Sequence, residues 1–240
     1  MRTVFFGGGA EPAPPSDFHI PIPLSAEELR VLGCLIEKQF LTPDVYPMTI
    51  NGIVTACNQK TSREPVTYYD DVTVDAVLVM LQGRGLCAKI SGADHRVPKF
   101  KELLGEKTGL RVSEISVLCV MMLRGPQTLA ELKERTNRIH VFADLDDVES
   151  TCEKLMVRAP QPLVVKLPRQ LGQKELRYMH LIGGPVNVDE LPTTPHAAVH
   201  AAVPAPREDR IANLESDVAA LKDAVARLEQ QLAEFRRQFE

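Results

Sequence analysis

The 240-residue chain is 44% apolar and 25% charged with a formal net charge of −4, a composition ordinary for a soluble globular protein of one or two domains and unlike a disordered one. Its longest uninterrupted apolar run, Val117 to Leu123, falls far short of the roughly 18 residues a membrane helix needs, so no membrane partner is expected. The opening Met1 to Gly9 offers only Val4, Phe5 and Phe6 before its glycines, too little for a secretory signal, and a cytoplasmic location follows.

Prolines mark the boundaries. Residues 1–23 and 184–207 are rich in Pro, Ala and Gly and have little to bury. The first reads as a disordered N-terminal tail, the second as a linker spanning roughly 27 Å as a flexible chain.

Between these flanks the sequence repeats imperfectly. "EELRVLGCLIEK" from Glu27 parallels "SEISVLCVMMLR" from Ser113, with Leu29, Leu32, Leu35 and Ile36 matching Ile115, Leu118, Met121 and Met122 at helical spacing. "MTINGIVTACN" from Met48 then parallels "PQTLAELKERTN" from Pro126. Both close on asparagine, at Asn58 and Asn137, which tolerates the left-handed conformation of a helix C-cap. A third helix follows in each copy, on Val74, Val77, Leu78 and Leu81, and on Leu145, Val148, Cys152 and Leu155.

After the third helix the period changes to that of a hairpin, with "GLCAKI" and "HRVPKF" in the first copy, "PLVVKL" and "ELRYMHL" in the second. Two helices meeting at a short turn beside a hairpin follow the winged-helix plan. The expected fold is mainly α with small β-hairpin wings: two tandem winged-helix domains, 24–106 and 107–183, and a C-terminal coiled-coil helix, 208–240.

That last segment has neither Gly nor Pro. Apolar residues recur at Ile211, Leu214, Val218, Leu221, Val225, Leu228, Leu232, Phe235 and Phe239 in alternating steps of three and four. Branched residues at a with Leu at d favour a parallel two-stranded coil. Arg210 with Glu215 and Asp217 with Lys222 become attracting interchain pairs in that register. The expected partner is a second copy of the chain, in a parallel homodimer; the stripe's alternatives are its own wings or another protein.

Catalytic constellations are missing. Gly7 to Gly9 lack the strand, helix and lysine of a phosphate loop, and no GxSxG or HExxH occurs. His196 and His200 are four apart but sit in the linker and read as solvated. Cys34, Cys57, Cys87, Cys119 and Cys152 form no CxxC pair and read as buried, inert thiols. Neither a metal nor a cofactor is expected, and the chain reads as non-enzymatic.

Charge is distributed unevenly. Only 107–183 is net positive. Arg158, Lys166, Arg169, Lys174 and Arg177 lie on or beside the second wing, and Arg135 and Arg138 precede its third helix. Lys60, Arg63, Arg96 and Lys99 occupy the turn and wing of the first copy. These are the candidate contacts to a nucleic-acid backbone. The third helices, however, begin with Asp70, Asp71 and Asp75, and with Asp144, Asp146, Asp147 and Glu149. A like charge costs about 4 kcal/mol at roughly 4 Å for an effective dielectric of ~20. Groove reading by these helices is therefore disfavoured. Two functions stay open: DNA association through phosphate contacts of the basic second wing, or an adaptor that uses the acidic third helices on a protein partner.

"LSAEELRVLGCLIEKQFLTPDVYPMTINGIVTACNQKTSREPV", from Leu24 to Val66, together with "GRGLCAKISGADHRVPKF" and "ELRYMHLIGG", resembles the YceH-like family of bacterial proteins. The resemblance implies a tandem winged-helix fold in a bacterial cytoplasm and no activity, since the family is one of unknown function. Its most motif-like positions here are Tyr46, Pro47, Asn51, Asn58, Gln59, Lys60, Ser62, Arg63 and Pro65.

Overall fold

A computed structural model describes residues 18–21, 23–90, 97–169 and 175–186. Ser25 opens α1 (Ala26–Leu41) with a capping box: its hydroxyl accepts from Glu28 N, and Glu28 Oε2 accepts from Ser25 N at 2.8 Å. Two amides that the helix leaves without partners are thereby satisfied. After a 3-10 turn at Pro43–Val45 come α2 (Ile50–Cys57), α3 (Asp71–Gly83) and the antiparallel strands β1 (Cys87–Ile90) and β2 (Lys99–Glu102). A short α4 (Leu104–Thr108) intervenes. The order then returns as α5 (Val112–Arg124), α6 (Leu129–Thr136), α7 (Leu145–Met156) and the antiparallel pair β3 (Val164–Lys166) and β4 (Tyr178–His180). The described chain is mainly helical, with two small antiparallel sheets.

The repeat extends to its joints. In the first copy Met48 and Phe100 exchange backbone hydrogen bonds of 3.0 and 2.7 Å; in the second Gln127 and Tyr178 do the same, at 3.0 and 2.7 Å. In both cases the next residue, Thr49 or Thr128, caps the second helix through its hydroxyl. One bridge thus ties the hairpin to the entrance of that helix twice over.

A single core serves both copies. α1 packs against α5, and Leu32, Leu35, Leu118 and Met121 are fully buried in one cluster, each such side chain contributing about 1.5–3 kcal/mol. Gly33 lets the two helices approach: a Cβ placed there would lie 2.9 Å from Leu123 Cδ2. Cys119 Sγ reaches Gly33 O at 3.4 Å across the same contact. All five cysteines are buried and free, and burial pushes the Cys87 and Cys152 thiols up to about 12.

Four expectations are corrected. Asn58 and Asn137 do end their helices, but at φ −88° and −49°, not in the left-handed region. The connection from α2 to α3 is residues 58–70 and that from α6 to α7 is 137–144, both well beyond the roughly three or four residues of a short helix-turn-helix. β2 begins at Lys99, after Pro98, which has no amide to give the ladder. The stretch before Leu24 is not wholly a free tail: Ile20 is 2% exposed and its amide donates to Gln161 Oε1 at 3.2 Å, while Pro21 O accepts from Arg84. The heptad residues from Ile211 to Phe239, and the linker from 187 onwards, lie outside the described residues. Among the described residues no helix is long and apolar enough to cross a membrane.

Candidate functional site

The third helix of each copy begins on an aspartate that does local work. Asp70 Oδ1 accepts from Thr73 N at 2.8 Å and Asp144 Oδ1 from Asp147 N at 2.9 Å, N-caps that also suit the positive end of the helix dipole. The hydrogen bonds from Thr73 hold the Asp70 carboxyl below its ordinary range.

One turn further, the two helices diverge. α3 buries Val74, Val77, Leu78 and Leu81, and its opposite face presents Val72 at 77% exposure, Val79 at 61% and Met80 at 46%, with Tyr68 at 83% just before it. Asp71 and Asp75, also exposed, line one edge of this stripe. No lysine or arginine lies within α3. The outer face of α7 is mainly charged instead, with Asp146, Asp147, Glu153 and Lys154 exposed beside Leu145. Sequence reasoning found the acids but missed the apolar residues beside them. The available signal was that Val72, Val79 and Met80 fall off the helix's own core stripe.

Among the described residues, five of the nine expected phosphate contacts, Arg63, Arg135, Arg158, Lys166 and Arg177, are engaged inside the chain. Arg177 Nη1 is 3.0 Å from Glu131 Oε2 and donates to Pro126 O at 2.9 Å. Lys166 Nζ is 3.2 Å from Glu149 Oε1, which also accepts from Tyr178 OH at 3.0 Å. Lys166 further lies 5.4 Å over the Tyr178 ring, and its hydrogen bonds with Tyr178 and Glu149 raise the ammonium's pKa. Arg135 donates to the Gln127 side chain and pairs with Glu131 at 3.4 Å, and Arg158 Nη2 donates to Thr108 O at 2.8 Å. Lys60, Arg138 and Arg169 are exposed and Lys99 is half-buried. Arg96 and Lys174 lie outside the described residues.

Arg63 is the clearest correction to the expected set. Its guanidinium is fully buried, with Nη1 3.0 Å from Glu37 Oε1 and Nη2 2.6 Å from Glu37 Oε2, and Nε donates to Ala56 O at 3.0 Å. Burial pushes the Glu37 carboxyl up, but the bonds and charge of Arg63, with Lys38 beside it, outweigh that and hold it below the usual range. No phosphate reaches such a group. Glu37 stood on a helix face that also holds Gly33, Cys34 and the buried Arg30, and a buried acid there demands a cation.

Several of the other motif-like positions, Asn58, Gln59, Ser62 and Pro65, hold the 58–66 loop in place. Asn58 uses its amide as a backbone mimic: Nδ2 donates to Tyr69 O and Oδ1 accepts from Tyr69 N, each at 2.7 Å. Ser62 takes φ 61°, a conformation uncommon for a residue with a Cβ, and its Oγ accepts from Arg124 Nη2 at 2.6 Å. Glu64 N donates to Leu123 O at 2.8 Å, Pro65 O accepts from Arg30, and Gln59 Oε1 accepts from Lys38. Tyr46 OH accepts from Glu102 N at 2.7 Å. Pro47 and Pro65 follow cis peptide bonds, and Asn51 is exposed on α2. The loop thereby joins α1 to α5 and fixes where α3 begins.

A family model described as a protein of unknown function, DUF480, matches residues 24–173. The chain belongs to the DUF480 family. The resemblance carried by the Leu24–Val66 stretch is thereby borne out. Relatives called simply UPF0502 protein include one from Opitutus terrae, 45% identical over 209 residues and 87% of each chain. One from Solibacter usitatus is 47% identical over 217 residues, 90% of this chain and 98% of its own. One from Photobacterium profundum is 40% identical over 215 residues, 88% and 97% respectively. In this DUF480 chain the matched span contains the 58–66 loop, the α3 face and both copies of the three-helix unit.

Proposed function

We propose that this DUF480 protein is a non-enzymatic, homodimeric tandem winged-helix protein of the bacterial cytoplasm that acts as a regulatory adaptor, docking a protein partner on α3. The single observation that carries this reading is the outer face of α3, where Val72, Val79 and Met80, with Tyr68 just before the helix, are exposed and Asp71 and Asp75 line one edge of the stripe. An apolar stripe of this kind marks a protein contact surface, and its acidic edge repels a phosphate backbone while attracting lysine or arginine. The partner is thus a protein segment with an apolar ridge bordered by basic residues. The repeated order of three helices and a hairpin, with the same bridge in each copy, supports the winged-helix assignment. The heptads from Ile211 to Phe239 support the parallel homodimer.

Affinity capture from the native cytoplasm after nuclease treatment tests the adaptor. A retained protein that is lost with Val79→Ser/Met80→Ser and with Asp71→Asn/Asp75→Asn, and kept with Lys60→Ala, is the expected result. Retention unaffected by both α3 variants, or abolished by nuclease, contradicts it. The exposed Lys60, Arg138 and Arg169 favour the second reading, contact with DNA backbone. Under that reading random duplex is retarded at about 50 mM salt and released steeply towards ~200 mM, and replacing Lys60, Arg138 and Arg169 by Ala flattens the slope. Under the adaptor reading no retardation occurs.

A further inference from the structure

Beneath the 58–66 loop, where the first helix of one copy meets the second copy, lies a pocket of about 370 Å³. Its lining mixes the apolar side chains of Leu41, Val120, Leu123 and Ile139 with polar and charged ones. Its rim carries three guanidinium groups, Arg124, Arg135 and Arg138, from α5, α6 and the residues just after α6. The size suits a ligand of about a dozen non-hydrogen atoms.

The electrostatics of the pocket are unbalanced. Glu37, at its base, is already taken by the buried Arg63 and by Lys38 at 3.2 Å. Glu131 is shared by Arg135 and Arg177. Glu134 is the remaining acid of the lining, and it is exposed. Arg124 is half-buried and donates to the neutral Ser62 hydroxyl. Desolvation, and then the charges of Arg135 and Arg63, push its pKa down against the partial compensation of Glu37 and Glu64. A guanidinium in that position gains from an incoming oxyanion, which replaces lost water and relieves cation repulsion.

We infer that this pocket binds a small amphipathic acid, with its oxyanion on Arg124 and Arg138 and its apolar body against Leu41, Leu123 and Ile139. The inference is independent of the partner proposed for α3. It also gives the motif-like Ser62 a role: its left-handed conformation aims the hydroxyl at Arg124 and so holds that side chain on the rim.

The test uses the full chain and 4-phenylbutyrate as probe, followed by methyl NMR and calorimetry, with 4-phenylbutanol and inorganic phosphate as the two halves of the probe's chemistry. Saturable shifts of the Leu41, Leu123 and Ile139 methyls with the acid are expected, at least about tenfold weaker with either half alone. Arg124→Gln should weaken the acid's binding about tenfold. Because Arg124 also touches the loop, the exposed Arg138→Gln gives a second arm, with a smaller loss in a chain whose melting temperature is unchanged. No saturable shift with the acid, equal binding of the alcohol, or indifference to both substitutions overturns the inference.

Discussion

Arg63 and Glu37 meet where the guanidinium is 0% and the carboxylate 11% exposed, so neither has water to fall back on once the other is removed. Arg63→Ala is expected to cost up to about 3–5 kcal/mol, because it leaves the buried Glu37 with Lys38 as its one remaining cation partner among the described ion pairs. Lys60→Ala, three residues earlier and exposed, should change stability by no more than about 0.5 kcal/mol. Urea denaturation of the two variants side by side checks the contrast. His180 offers a second residue-scale prediction. It is 2% exposed in β4, its Nδ1 has no hydrogen-bond partner among the described residues, and burial lowers its pKa to about 4. The unfolded chain takes up this proton near pH 6.5 and the folded chain only near pH 4, so its contribution is fully present above about 6.5 and lost as the pH falls through that window. Stability should drop by up to about 3 kcal/mol from this group alone, and His180→Phe should flatten the pH dependence of the melting temperature between those values.

At the scale of elements, the contact of α1 with α5 is set by the missing side chain at Gly33. Gly33→Leu has to displace Leu123 and Met122 and is expected to destabilise by at least about 1–3 kcal/mol, measured by thermal melting. The helices and hairpins were legible because their periods are strong and each side chain answers to one buried face. Thr49 and Thr128 capped the second helices where the repeat aligned them. What stayed hidden depends on contacts distant in sequence. Arg63 looked like a surface cation until Glu37, twenty-six positions earlier, closed on it. Asn58 looked like a left-handed cap, but its amide instead satisfies the Tyr69 backbone. Likewise Lys166 and Arg177 of the second wing lose their availability to Glu149 and Glu131, partners contributed by α7 and α6. The exposed face of α3 was readable as a second apolar stripe, but only once the first had been assigned to the core.

For the whole molecule, two copies of one unit share a core and place two unlike helices on the surface, an α3 whose exposed face is apolar and acidic and an α7 whose exposed face is mainly charged. Under the proposed function the unlike faces would give each copy a different contact to make, and the proposed dimer would double the number. Removing everything after Arg207 should halve the mass found by light scattering at micromolar concentration while leaving the melting of 24–183 unchanged. Avidity for a multivalent partner should fall with it. The central claim is that α3 meets a protein, and a photo-crosslinking residue placed at Val79 in living cells addresses it most directly. A discrete, nuclease-resistant protein adduct at Val79, absent when the same residue replaces the exposed Thr55 on α2, is the predicted result. Crosslinking at Val79 to nucleic acid, or to no macromolecule at all, would contradict it.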